Sequence, residues 1–123
     1  MSAWRWIGSE DKYKNIARLC CGIPRHRVLE IGSGDGAVLK RMDNAAFAEE
    51  LFSLEISESS RAALESLGLK RLKQAALFDG YSTSFPEKYF DLVVLSHVME
   101  HVEHPRILLQ EVKRISHFVF VEV

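Results

Sequence analysis

Two stretches of the chain hold residue types at spacings that can do chemistry: Gly32-Ser33-Gly34-Asp35-Gly36-Ala37 and His97-Val98-Met99-Glu100-His101. Glycines this dense permit a sharp turn and close approach of a ligand to the backbone, and the N–H groups of a helix that follows favour an anionic group. The chemistry implied is capture of a nucleotide-like ligand. The cluster reads both as G-x-G-x-G and as G-x-G-x-x-A, the second being a dinucleotide fingerprint, so it does not say which nucleotide. Glu55 stands about twenty residues beyond the glycines, where an acidic side chain accepts hydrogen bonds from both hydroxyls of a ribose.

The second stretch has the order H-x-x-E-H, which matches an inverted zinc-peptidase helix. Such a site needs both histidines on one face of a continuous helix and a further ligand downstream. Pro105 follows His101 too closely for that, leaving about one or two helical turns, and only Glu103, Glu111 and Glu122 remain downstream as carboxylates. No metal site is expected. His104, beside Pro105, reads as a solvated helix-entry residue. His97 falls just past a strongly apolar strand, where ligands of open α/β sheets bind. A neutral imidazole there can take a proton from a substrate, or it can simply pack against the loop.

The elements that must hold these residues alternate. Ser9 can cap a helix with Tyr13, Ile16, Ala17 and Cys20 on one face, ended by Gly22 and Pro24. "RVLEI" leads as a strand into the glycines, and Ala37, Val38, Leu39 and Met42 continue as a helix. "ELFSLEIS" is a second strand, followed by a helix from Glu58 to Leu67 with Ser57 as cap and Gly68 as stop. "LKRLKQAALF" holds a weaker third strand, "YFDLVVL" a strong fourth and "FVFVEV" a fifth; before the last, Pro105 opens a helix aligning Leu108, Val112 and Ile115. Strands alternating with helices predict a Rossmann-like, doubly wound α/β fold with a mainly parallel sheet. Residues 1–26 form an N-terminal arm and helix, and residues 27–123 the ligand-binding core.

At 123 residues the chain is expected to be one domain. Its 16 Lys and Arg against 17 Asp and Glu leave no basic excess to argue for a nucleic-acid partner. No apolar run approaches the ~20 residues that span a bilayer, and no secretory leader is evident, so a cytoplasmic protein is expected. Cys20 and Cys21, adjacent and without another partner, read as reduced, at least half buried and not catalytic. Trp4 and Trp6 precede the first helix as core cover or as an aromatic arm over a ligand.

Taken together, "VLEIGSGDGAVLKRM", "LFSLEIS" and "LFDGYSTSFPEKYFDLVVLSHVMEHVEHPRILLQEVKRI" resemble the class I S-adenosylmethionine-dependent methyltransferases. Glu30, two residues before the first glycine, matches the acidic position of that family's first motif. Asp79 and Asp91 fall as in its "D…FPxxxFDLV" pattern, and "VVLSHVMEHV" is typical of the group. The resemblance implies that the loop Gly32, Ser33, Gly34 and Gly36 wraps the methionine part of the cofactor, with Glu30 toward its ammonium. It implies that Glu55 holds the ribose, that Asp79 accepts from the adenine amino group, and that Ile56 or Phe78 packs on the ring. Ser96, at the end of the fourth strand, is placed with this set. His97 is the candidate catalytic residue.

The implied activity is methyl transfer from S-adenosylmethionine to a small-molecule acceptor, leaving S-adenosylhomocysteine. Two alternatives stand beside it: an NAD-binding oxidoreductase domain and a catalytically inactive cofactor-binding module. The sheet order implied is 3-2-1-4-5. Complete family members continue with a further helix and two strands, so a C-terminally truncated or minimal form is expected. Its uncovered fifth strand would favour self-association.

Overall fold

The five apolar runs become five strands because each can bury side chains on both faces of a sheet whose crossovers are helical. The computed structural model describes residues 9–123, so Trp4 and Trp6 lie outside the described residues. The elements are α1 (Ser9–Leu19), β1 (Arg27–Ile31), α2 (Ala37–Asn44), β2 (Glu50–Glu55), α3 (Glu58–Ser66), β3 (Leu72–Leu77), β4 (Phe90–Ser96), α4 (Pro105–Ile115) and β5 (Ser116–Glu122), with a 3₁₀ turn at Met99–His101. All pairings are parallel, in the order β3-β2-β1-β4-β5. The expected fold and strand order are the observed ones. Among the described residues no helix is long and apolar enough to cross a membrane.

Alternation along the strands divides the core in two. Val28, Leu51, Leu92, Val94 and Phe120 meet Ile16 and Cys20 of α1, Val38, Leu39 and Met42 of α2, and Leu64 of α3. Leu29, Ile31, Phe52, Leu54, Val93 and Leu95 face the other way, toward Leu108, Val112 and Ile115 of α4. Phe52, Phe85, Tyr89 and Phe90 pack around one another on this second side, with ring centroids 4.8–6.2 Å apart. Edge-to-face packing of this kind adds to area burial. It also draws the long segment between β3 and β4 down onto the sheet.

Caps and stops fall where their chemistry requires. Ser57 Oγ accepts from Ser60 N–H at the start of α3, Gly68 turns left-handed after it, and Pro105 opens α4. Asp91 ties β1 to β4, accepting from the N–H groups of His26 (2.7 Å) and Arg27 (3.0 Å). Buried Asp43 takes the N–H groups of Lys70 and Arg71 and so fixes the entry to β3.

One expectation needs correction. Cys20 is buried but Cys21 is exposed: α1 ends at Leu19, and of the two turn residues that follow only Cys20 packs against the core. Burial raises the Cys20 thiol, away from the reactive thiolate. The fifth strand is an edge, in keeping with the uncovered strand expected from the sequence: Phe118 and Val121 are 48% and 44% exposed while Phe120 is buried. The weak periodicity of the third strand has the same cause, since β3 is the other edge and buries only Ala75.

Glu111 of α4 holds the β3–β4 segment in place. Its carboxylate accepts from Thr83 N–H (2.8 Å) and Oγ (2.7 Å) and pairs with Arg114 at 2.7 and 2.8 Å. The Arg114 guanidinium, then the Thr83 donors, hold the Glu111 carboxyl down at about 2. A depressed folded pKa stabilises the protein above the ordinary carboxylate range and is lost as pH falls through the folded value. Glu111→Gln is therefore expected to cost about 1–2 kcal/mol at pH 7 in urea denaturation. The deficit should shrink toward nothing as the pH approaches about 2.

Candidate functional site

At the carboxyl end of β1 the chain must turn sharply to start α2. It does so with left-handed backbone at Gly32 (φ 74°), Gly34 (φ 59°) and Gly36 (φ 81°). Space is tight as well at two of them. A Cβ on Gly36 would lie 2.6 Å from Leu67 and 2.7 Å from Leu64, and one on Gly32 would lie 3.0 Å from Val98. The turn is anchored to β2: Gly32 N–H donates to Leu54 O (3.0 Å), and Ser33 N–H donates to Glu55 Oε1 (2.7 Å).

The turn borders a cleft of about 320 Å³ at the carboxyl edge of the sheet. Gly32, Glu55, Ile56, Phe78 and Asp79, all singled out from the sequence, line it. Tyr81, Val98, His101, Val102 and Glu103 line it as well; these were missed. Their only signal was membership of the segments after β3 and β4, which supply the far wall. Leu108 of α4 forms part of the floor. Ile56 is 73% exposed, so a flat apolar face stands open beside the cleft.

Three acidic groups at this edge are in different states; Asp79 and Glu55 line the cleft, whereas Glu30 does not. Asp79 is exposed; its Oδ1 accepts from the N–H groups of Tyr81 and Ser82, and its Oδ2 from the Ser82 hydroxyl. The Ser82 and Tyr81 amides hold its carboxyl below the usual range. Glu55 is buried, and burial raises its carboxyl although the Ser33 and Gly34 amides oppose this. The ribose-binding residue expected from the sequence thus also supports the glycine turn. Glu30 is 3% exposed, on the α1 face of β1, and its Oε1 has no hydrogen-bond partner among the described residues. Burial pushes it up to about 7, with the Ser33 hydroxyl and the Lys12 charge opposing and Glu55 reinforcing. Ser33 Oγ in turn lies 2.9 Å from Ser53 Oγ.

Ser96 and His97 do not line the cleft. They sit on the other side of Val98, against β5: Ser96 Oγ donates to Glu122 Oε1 (3.2 Å), and His97 N–H donates to Glu122 O (2.7 Å). His97 adopts φ 58°, a left-handed conformation unusual for a residue with a Cβ. His101 belongs to the 3₁₀ turn and His97 precedes it, so the two rings do not share a helical face. Among the described residues no three metal-ligating side chains gather. His104 is exposed; its N–H donates to the Tyr81 hydroxyl at 3.2 Å.

A parallel sheet with a glycine turn and acidic strand ends defines a domain that binds an adenosine-bearing cofactor. Residues 29–117 match the family model described as a methyltransferase domain, and the chain belongs to that family. Its fold is that of the class I S-adenosylmethionine-dependent methyltransferases. This decides the ambiguity of the glycine cluster against the dinucleotide reading.

Among curated relatives, the chain is 38% identical over 82 residues to a protein-L-isoaspartate O-methyltransferase of Rhodopseudomonas palustris, covering 64% of this chain and 37% of that protein. It is 30% identical over 90 residues to a phosphatidylethanolamine N-methyltransferase of Cereibacter sphaeroides, covering 72% and 44%. The chain therefore spans less than half the length of these relatives. Two solved structures share the fold. YcgJ of Bacillus subtilis has a TM-score of 0.77 at 19% identity, covering 87% of this chain and 46% of that one. The N-terminal domain of EvdMO1, solved with S-adenosylhomocysteine bound, has a TM-score of 0.77 at 20% identity, covering 94% and 49%.

The state of Glu30 is directly measurable. A carboxyl raised on folding binds its proton more tightly in the folded protein, so stability falls as pH rises from about 4.5 to about 7 and stays lower above. Glu30→Gln should remove this dependence. The variant is expected to be more stable than the wild type by about 1–3 kcal/mol at pH 8, and close to it at pH 4; denaturant midpoints at the two pH values check this.

Proposed function

We propose that this chain binds S-adenosylmethionine across the glycine turn and moves its methyl group to a small-molecule acceptor. The observation that carries this reading is Glu30. Its carboxyl group is 3% exposed near the end of the central strand, with one oxygen unpartnered among the described residues. Such a group is costly unless a cation or donor reaches it. The ammonium of the methionine part is a cation of the right kind, whereas a dinucleotide's pyrophosphate would gain nothing there.

The rest of the site fits the same ligand. The adenine ring would occupy the cleft between Ile56, Phe78 and Val102, with Asp79 Oδ2 available to its amino group. The ribose would lie against Glu55. When bound, the cofactor supplies an activated methyl on a positively charged sulfur. The protein's part is to orient the acceptor at about 3 Å from that carbon and to exclude water. Val98 closes over Gly32, and His97 follows directly from β4, so the acceptor's proton has a base within the same short segment. The acceptor is proposed to be small because the cleft is small and flanked by acidic groups, with no Lys or Arg among the described residues that line it.

Thermal denaturation separates the cofactor readings. S-adenosylhomocysteine at a hundred times its Kd should stabilise the protein by about 2.7 kcal/mol, a rise of several degrees, while NADH should leave it unmoved; stabilisation by NADH alone would sink the assignment. Methyl transfer is then read with labelled S-adenosylmethionine against a metabolite extract. His97→Ala is expected to lower turnover by roughly a hundredfold and to leave S-adenosylhomocysteine affinity nearly unchanged.

A further inference from the structure

Glu30 and Glu55 are diagonal neighbours on the α1 face of the sheet. Glu30 of β1 is in register with Ser53 of β2, and Glu55 stands two residues beyond Ser53, on the same face of that strand. All three side chains are buried. On the other side of Glu30 its register partner in β4 is the apolar Val94. Two acidic groups therefore share one buried space, and the polar groups around them are unequally divided.

Glu55 Oε1 accepts from Ser33 N–H at 2.7 Å, and the Gly34 amide supports the same carboxylate. Glu30 has the Ser33 hydroxyl, which lies 2.9 Å from Ser53 Oγ and is shared with it, while Glu30 Oε1 has no hydrogen-bond partner among the described residues. Glu55 and Asp35 of the glycine turn act against a charge on Glu30, and Lys12 of α1 acts in its favour from a distance. Glu122 of β5, on the same face, is taken up by Asn15 and Ser96. Two carboxyl groups this close in a buried space do not both ionise cheaply, and the proton stays on the one with fewer donors. That one is Glu30.

We propose that the ligand-free protein stores a proton on Glu30 and that loading of the cofactor expels it, so that cofactor binding is coupled to proton release. The coupling rests on the S-adenosylmethionine reading. The ammonium of the methionine part keeps its own protons. The O–H bond of the Glu30 carboxyl breaks, its electron pair stays on oxygen, and the proton passes to water; the carboxylate left behind pairs with the ammonium. S-adenosylhomocysteine carries the same ammonium, so departure of the product takes a proton back. The sign follows from this exchange. Low pH favours the protonated, unloaded protein, and affinity therefore falls as pH falls through the value at which Glu30 titrates. Burial moves that value out of the ordinary carboxylate range to near neutrality.

Calorimetry of S-adenosylhomocysteine binding, in buffers with different heats of ionisation, counts the protons released. With Glu30 titrating at about 7, the wild type should release about 0.9 proton per ligand at pH 6 and about 0.1 at pH 8, and bind roughly tenfold more weakly at pH 6. Adenosine, which lacks the amino-acid part, should bind with no proton released and with the same affinity at both pH values. Glu30→Gln should bind S-adenosylhomocysteine more weakly than the wild type at pH 8, again with no proton released and no dependence on pH. Carbon spectra of the ligand-free protein, labelled at the glutamate carboxyls, should show one group titrating near neutrality that is missing in Glu30→Gln. Binding of S-adenosylhomocysteine without proton release at pH 6 overturns the proposal. Release retained in Glu30→Gln overturns it too, as does equal release with adenosine, which would put the proton on Glu55. If the wild type binds no S-adenosylhomocysteine at either pH, the cofactor reading fails and the coupling fails with it; binding without release removes the coupling alone.

Discussion

The hydrogen bond from the Ser33 N–H to the buried Glu55 carboxylate joins the glycine turn to the neighbouring strand, and the rest of the site depends on it. A turn with three left-handed glycines gains little from its own torsions and has only the small Ser33 side chain to bury. It needs an external acceptor for its amides, and the end of β2 supplies one. With the turn pinned there, α2 starts in a defined direction, Gly36 can fit against Leu64 and Leu67 of α3, and Gly32 can fit under Val98. The β1–β2 register, the two following helices and the segment after β4 are thereby coupled through one short loop.

The acidic groups at the carboxyl edge form a row on the α1 face of the sheet: Glu55 on β2, Glu30 on β1 and Glu122 on β5. Burying carboxylates close together is unfavourable, and the protein compensates each in a different way. Backbone amides serve Glu55, and Asn15 and Ser96 serve Glu122. Glu30 is left with the least, a serine hydroxyl and the more distant charge of Lys12. That imbalance leaves the central carboxyl with the fewest partners of the three among the described residues. The apolar cleft lies on the α4 side of the same edge, lined by Ile31, Leu54 and Leu108. A ligand with a charged end and a flat aromatic end matches the two sides, with the glycine turn between them.

The histidines show how a linear pattern and its three-dimensional context can diverge. His97 and His101 are four residues apart, the spacing of neighbours on an α-helix. The chain instead leaves β4 through a left-handed residue and a 3₁₀ turn. His97 consequently turns back toward β5, and His101 goes forward into the cleft. The same motif thus serves two separate surroundings, and neither is a metal centre of the kind its letters suggest.

Much of the architecture was legible in the chain because it rests on local chemistry. Alternating apolar runs, the glycines after "RVLEI", Ser57, Gly68 and Pro105 determine where strands, turns and helices begin and end, and parallel pairing follows from the crossover helices. The line from Gly32 through Glu55 and Ile56 to Asp79 was also readable, since each residue sits at a strand end that the topology brings to one edge. Tertiary structure alone decided the rest. Whether Cys21 is covered, which face of β5 meets solvent, and which side chains satisfy Glu30, Glu55 and Glu122 depend on contacts between residues far apart in the chain. The bond from Asn15 to Glu122 spans almost the whole described sequence. No local periodicity encodes such a pairing, because its energy comes from desolvation and proximity that exist only once the sheet has closed around it.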